Sequence, residues 1–192
     1  SGRKYVASYG DTHVWIAEKK SDKLKGFIDL NNAQALSLDW NHDDSRIVMG
    51  LDNGIIQVLD SSTEETLRTS GTRTGKSVSC VSWSPDGRKI VSNSNDPNGH
   101  LRVWDTTTGK LIYSIQAHSS YGLGGAWSPN GKHFGSSGGD RAVRIWNATT
   151  GKKELEMRHG HYAYCMAWSP DGTKIASGSY DKTLRVWSAD TG

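Results

Sequence analysis

The side chains best suited to chemistry lie close together late in the chain. They are His159, Ser177, Ser179 and Asp181, with Trp187 just beyond. Histidine, serine and an acid are the parts of a nucleophilic triad, in which the acid orients the imidazole and the imidazole takes the serine proton. A hydrolase also needs an oxyanion site and an accessible nucleophile, and the sequence suggests neither. His159-Gly160-His161 would give a metal two nitrogen ligands, but two histidines do not fill a zinc shell. Glu156 and Cys165 are near in sequence, yet they fall on different predicted strands with no recognised ligand spacing. Gly122, Gly124 and Gly125 lie in a predicted strand, where small residues suit close packing, and no phosphate-binding loop is read there. No metal or cofactor is expected.

The elements that would hold these residues announce themselves through tryptophan. Seven of the eight Trp fall into two series. Trp40, Trp83, Trp127 and Trp168 are spaced by 43, 44 and 41 residues, and Trp104, Trp146 and Trp187 by 42 and 41. The second series trails the first by about 20 residues. A tight turn follows most of the first series: Ser84-Pro85-Asp86-Gly87, Ser128-Pro129-Asn130-Gly131 and Ser169-Pro170-Asp171-Gly172. Proline presets φ there, and glycine accepts a left-handed φ. Asn41-His42-Asp43-Asp44 is a weaker version. Next come a short strand, a turn and an alternating strand ending in Trp, as in Leu101-Arg102-Val103-Trp104. A Thr-Thr-Gly-Lys turn and a fourth strand close the unit. Four short antiparallel strands in a unit of about 42 residues predict an all-β propeller blade.

These motifs resemble the WD-repeat family across essentially the whole chain. Trp104-Asp105 is a full Trp-Asp pair, and Trp146-Asn147 and Trp187-Ser188 are near misses. With strands lettered a to d from the axis outwards, the expected repeats are 1–30 (partial), 31–73, 74–117, 118–158 and 159–192 (partial). That makes about three complete and two partial blades. Such an arc leaves terminal faces bare, so a larger ring, completed by further sequence or by a second copy, is expected. The resemblance implies about seven blades. In the first two units Ala17 and Leu59 stand where Trp is expected, and Trp15 takes the place of Arg102, Arg144 and Arg185.

The resemblance also recasts the triad-like residues. It implies a structural network of loop His, strand-b Ser, turn Asp and strand-c Trp. Residue by residue this is His159, Ser177 or Ser179, Asp181 and Trp187 in the fifth unit, and His118, Asp140 and Trp146 in the fourth. The register agrees: each Asp lies six residues before its Trp, and each His nine before the next strand-a Trp. Ser136 matches Ser177, but Gly138 replaces Ser179, so the fourth network is read as partial and only the fifth as complete. Thr74, Asn31 and Asn53 stand where His or Asp is expected elsewhere, and two extra residues separate Asp96 from Trp104.

Net charge is +3, with acids and bases interspersed. The basic runs are mere pairs, without the dense stripe of a nucleic-acid binder. No apolar run is long enough to span a membrane, and no secretory signal is read. Cys80 and Cys165 hold the same place in non-adjacent units and are read as buried free thiols of a reducing compartment. The expected location is cytoplasmic, or nuclear. A protein or peptide partner is expected on the face made by the d–a and b–c loops, because loops on a rigid scaffold carry recognition. The candidate contacts are Arg73, Lys76, His100, Tyr121, Arg141, His161, Tyr162, Tyr180 and Lys182. The reading is a non-catalytic interaction scaffold. The alternative is a ligand- or nucleic-acid-binding propeller that uses the basic and aromatic loop residues.

Overall fold

The computed structural model describes residues 4–8, 13–18, 24–71 and 76–192. In the first sheet, side chains are described only for Val14, Ile28 and Asp29. Arg73 and Thr74, like the side chain of Trp15, lie outside the described residues. Among the described residues every regular element is a strand, and none is a helix able to cross a membrane.

Eighteen strands form five antiparallel sheets in chain order. The first is three-stranded: β1 (Lys4–Ser8), β2 (His13–Glu18) and β3 (Leu24–Asp29). The second holds β4 (Ala35–Trp40), β5 (Arg46–Leu51), β6 (Ile55–Asp60) and β7 (Thr66–Gly71). The third holds β8 (Val78–Trp83), β9 (Lys89–Ser94), β10 (His100–Asp105) and β11 (Leu111–Gln116). The fourth holds β12 (Gly122–Trp127), β13 (His133–Gly138), β14 (Ala142–Asn147) and β15 (Lys153–Arg158). The fifth is three-stranded: β16 (Ala163–Trp168), β17 (Lys174–Ser179) and β18 (Leu184–Ser188). Each sheet pairs its strands strictly in sequence order, as two-residue periodicity and tight turns demand. The turns are pinned as their residue types suggest. Ser84 Oγ donates to Asp86 and accepts from Lys89 N, while Gly87 takes φ 66°. In the weaker version Asn41 does the serine's work by accepting from Arg46 N, and Asp44 holds the left-handed place at φ 59°.

The core consists of four apolar layers between successive sheets. Alternation sends Val48 to one layer and Ile47 and Met49 to the other, because neighbouring side chains leave opposite faces of a strand. Second strands of interior sheets are therefore buried on both faces, as in β5, β9 and β13.

The two tryptophan series do different work. Indoles of the strand-a series reach between sheets: Trp83 Nε1 donates to Asp39 O at 3.3 Å, and Trp168 Nε1 to Ala126 O at 3.2 Å. Asp39 also accepts from Trp83 N at 2.8 Å, and burial raises its pKa above the usual carboxylate range. Close approach at this seam requires small residues. A Cβ on Gly124 would lie 3.0 Å from Cys165 Cα. The strand-c series stays within its own sheet, as described below.

The fifth sheet departs from this pattern on its outward face. Leu101 and Val103 are 0% exposed on β10, whereas the equivalent Leu184 and Val186 on β18 are 73% and 61% exposed. Cys165 lies in this sheet and is exposed, not buried as the sequence suggested. Among the described residues no further sheet covers this face, and interior sheets gain their second burial from the sheet that follows them. Cys80, with such a neighbour, donates its thiol to Gly125 O at 3.1 Å, and burial pushes that thiol up to about 11. The contrast is measurable by urea unfolding of the chain. Leu101→Ala should cost roughly 2–5 kcal/mol, and Leu184→Ala no more than about 0.5 kcal/mol. Equal losses would mean that the outward face is covered in solution.

Candidate functional site

The fourth sheet contains the most complete polar network. Trp146 Nε1 donates to Ser136 Oγ at 2.9 Å, and Ser136 Oγ lies 2.9 Å from His118 Nε2. An indole N–H can only donate, so the serine oxygen accepts from it, and a lone pair and a proton remain with which it can meet His118 Nε2 in either role. His118 Nδ1 lies between Asp140 Oδ1 at 2.7 Å and Arg144 Nη1 at 2.8 Å, and because a carboxylate only accepts, a proton on Nδ1 serves the Asp140 contact. Asp140 also accepts from Ser119 N at 3.2 Å, tying the b–c turn to the d–a loop. His118 and Ser136 are 2% and 0% exposed. Burial alone would raise the Asp140 pKa, but hydrogen bonds from His118 and Arg144 outweigh it and hold the carboxyl far below its ordinary range.

Sequence reasoning placed the complete network in the fifth sheet, and the geometry reverses that order. Gly138 was counted as a departure, but it makes room: a Cβ there would lie 2.5 Å from the His118 ring. In the fifth sheet Ser177 accepts from Trp187 Nε1 and meets His159 Nε2, both at 2.8 Å. The His159 Nδ1 to Asp181 Oδ2 distance is 3.4 Å, longer than its counterpart. Ser179 is not part of the network. Its hydroxyl donates to His161 O and accepts from Asp181 N, bracing the turn. Asp181 is held low chiefly by the Thr183 hydroxyl, with Gly160 N also donating to it.

Two participants escaped the sequence reading. Arg144 reaches Asp140 at 2.7 Å, Ala117 O at 2.9 Å and Glu156 at 2.9 Å while only 9% exposed. Its signal was the repeated Arg two residues before each strand-c Trp. The second is the third sheet's substitute. Trp104 Nε1 donates to Ser92 Oγ at 2.9 Å, while Asp96 is met by His100 Nδ1 at 3.2 Å and by the Ser94 hydroxyl at 2.5 Å. His100 begins β10, so the strand supplies the histidine that the loop lacks. His100 had been assigned to partner contact; here its ring is half-buried and committed to Asp96.

The remaining candidate contacts lie at one end of the sheets. The d–a and b–c loops share that end because antiparallel strands return there. Tyr121, Tyr162 and Tyr180 are 46%, 42% and 62% exposed, and Lys76, Arg141 and Lys182 are exposed. Around His161 the rings cluster, with centroids 4.4 Å from Tyr162 and 4.8 Å from Tyr180. Tyr164, exposed on β16, extends the cluster at 6.1 Å from Tyr180. The backbone ties the group down: Tyr180 N donates to Tyr162 O, and His159 N to Arg141 O, both at 2.9 Å. Among the described residues no group of acidic, His or Cys side chains could hold a metal.

Four-stranded sheets stacked along the chain and pinned by Trp–Ser–His–Asp chains define a repeat-built β-propeller. The model for "WD domain, G-beta repeat" matches residues 64–105, 109–147 and 152–188, and that for "Anaphase-promoting complex subunit 4 WD40 domain" matches residues 7–83. The chain belongs to the WD-repeat family. It is 31% identical over 144 residues to WD repeat-containing protein slp1 of Schizosaccharomyces pombe, covering 74% of this chain and 28% of slp1. It is 24% identical over 204 residues to APC/C activator protein CDC20 of Saccharomyces cerevisiae, covering 83% of this chain and 33% of that protein. A chain in the crystal structure of the mitotic checkpoint complex superposes with a TM-score of 0.89 at 26% identity, over 99% of this chain and 60% of that one. The chain thus spans about a third of these two relatives.

Two expectations follow from the networks. Ser136→Ala removes the acceptor of the Trp146 indole and the partner of His118 Nε2 together. It should cost about 2–3 kcal/mol, since each buried polar group left bare costs roughly 1–3 kcal/mol. Ser179→Ala should cost under about 1 kcal/mol. Thermal unfolding of both variants checks this ranking. Because the folded-state pKa of Asp140 is depressed, its contribution is present above the unfolded value of 3.8 and is lost as pH falls below it. Melting temperature measured from about pH 6 down to about pH 2 should therefore fall less steeply in Asp140→Asn than in the parent chain.

Proposed function

We propose that this chain is a non-catalytic protein-interaction scaffold that takes its partner on the face formed by the d–a and b–c loops. The observation that carries this reading is the cluster of exposed Tyr162, Tyr164 and Tyr180 around half-buried His161, on hydrogen-bonded loops and the start of β16. Exposed aromatic side chains on a rigid frame are the usual anchors of interfaces. The relatives support it too. One is named as an activator of another assembly, and the matched solved chain sits in a multiprotein complex. A regulatory assembly of cell division is the class of partner they suggest, with action in the cytoplasm or nucleus.

The triad-like residues support a structural role. Ser177 is 2% exposed, accepts from an indole and lies 2.8 Å from His159 Nε2, so its oxygen is directed inward at both contacts. A nucleophile needs open approach, which this placement denies.

The test compares the two ends of the sheets. A photo-crosslinking amino acid at Tyr162 should capture a protein from cell extract several-fold more efficiently than one at Lys132, which follows the a–b turn at the opposite end. Capture should fall in a Tyr180→Ala background that melts like the parent. Equal capture at both ends, or none at Tyr162, would overturn the reading.

A further inference from the structure

The loop face has an electrostatic imbalance that net charge conceals. In the second to fifth sheets the b–c turns carry Asp52, Asp96, Asp140 and Asp181, and each carboxylate is spent internally. Asp52 accepts from Gln34 N. Asp96 accepts from Ser94, Asn98 N and His100. Asp140 is held by His118, Ser119 N and Arg144. Asp181 accepts from Gly160 N and Thr183, with Arg185 3.8 Å away. The cations beside them are not spent. Arg141 and Lys182 are exposed, and their side chains make no hydrogen bond or ion pair within the described residues.

Their backbone position adds to the argument. Five residues before the strand-c Trp position, all four described units turn through a left-handed φ: 86° at Gly54, 54° at Gly99, 69° at Arg141 and 67° at Lys182. Glycine takes that conformation freely, and a residue with a Cβ does so at a cost. The second and third sheets use glycine. The fourth and fifth bear the cost and gain a free cation, on the two adjacent sheets that also carry the aromatic residues. One hydrogen-bonded run joins them, from Arg141 O through His159 N to Gly160 N on Asp181, and from Tyr180 N to Tyr162 O.

We propose that Arg141 and Lys182, with Tyr121, His161, Tyr162 and Tyr180, form a docking surface for an acidic peptide segment. Guanidinium and ammonium groups pair with its carboxylates, phenol hydroxyls donate to them, and the rings cover the apolar part of the segment. This assignment rests on the loop face being the partner surface and adds the chemistry of what binds there.

The test is selection from a random dodecapeptide display library on the purified chain, followed by titration of the enriched peptides. Asp and Glu should be enriched, and affinity should fall with added salt. It should also fall roughly tenfold or more in Arg141→Glu/Lys182→Glu, with the melting temperature unchanged. Arg141→Gly/Lys182→Gly, which removes the charges and relieves the backbone, should weaken binding while stabilising the chain. Neutral or basic peptides whose binding is lost in Tyr162→Ala/Tyr180→Ala would overturn the acidic assignment and leave the loop face standing. Peptides indifferent to all these substitutions, or no enrichment, would count against both. Binding of phosphorylated peptides but not their glutamate versions would also overturn the assignment.

Discussion

The loop end of the fourth sheet depends on one buried polar chain that runs from Trp146 through Ser136 and His118 to Asp140. Because Trp146 can only donate, Ser136 must accept from it, and because a carboxylate can only accept, Asp140 must be met by donors. The chain thereby links a strand-c indole to a turn carboxylate through a loop imidazole. Most of these groups are buried, so a break anywhere leaves polar atoms without water to replace the lost partner. Such a chain is conditionally strong: valuable when complete and damaging when partial.

The other half of the architecture rests on the seam between sheets. Strand-a indoles donate to the neighbouring sheet's carbonyls at Asp39 and Ala126, and glycines such as Gly124 let the backbones close up. The Trp127 indole breaks the rule: it is buried without a hydrogen-bond partner among the described residues and packs edge-on against Phe134 instead. Within-sheet chains set the shape of each blade, and the seam sets its angle to the next. The d–a and b–c loops share in both, since the same His and Asp residues that brace the sheets also tie the d–a loop to the b–c turn.

Much of this was legible in the sequence. Tryptophan spacing and Ser-Pro-Asp-Gly turns located the second and third strands of the third and fourth sheets, because alternation and turn chemistry are local properties. The choice between Ser177 and Ser179 was not legible: both share a strand face, and only the depth of the imidazole decides between them. Gly138 was misleading for the same reason, since its value lies in the ring packed against it. His100 was hidden because a strand residue took over work that the resemblance gives to a loop. Exposure of Cys165 depends on whether another sheet follows, which no local pattern reveals.

One small contact has a directional consequence. Ser70 on β7 donates to Gly109 O in the third sheet's c–d turn, and Tyr113 on β11 donates to Ala148 O in the fourth sheet's. Each rim strand is thus fastened by a turn synthesised about forty residues later. As the chain leaves the ribosome, the second and third sheets each wait for a clasp that the next sheet supplies. Loosening a late sheet would therefore unlatch the rim before it, while early damage would leave later clasps intact.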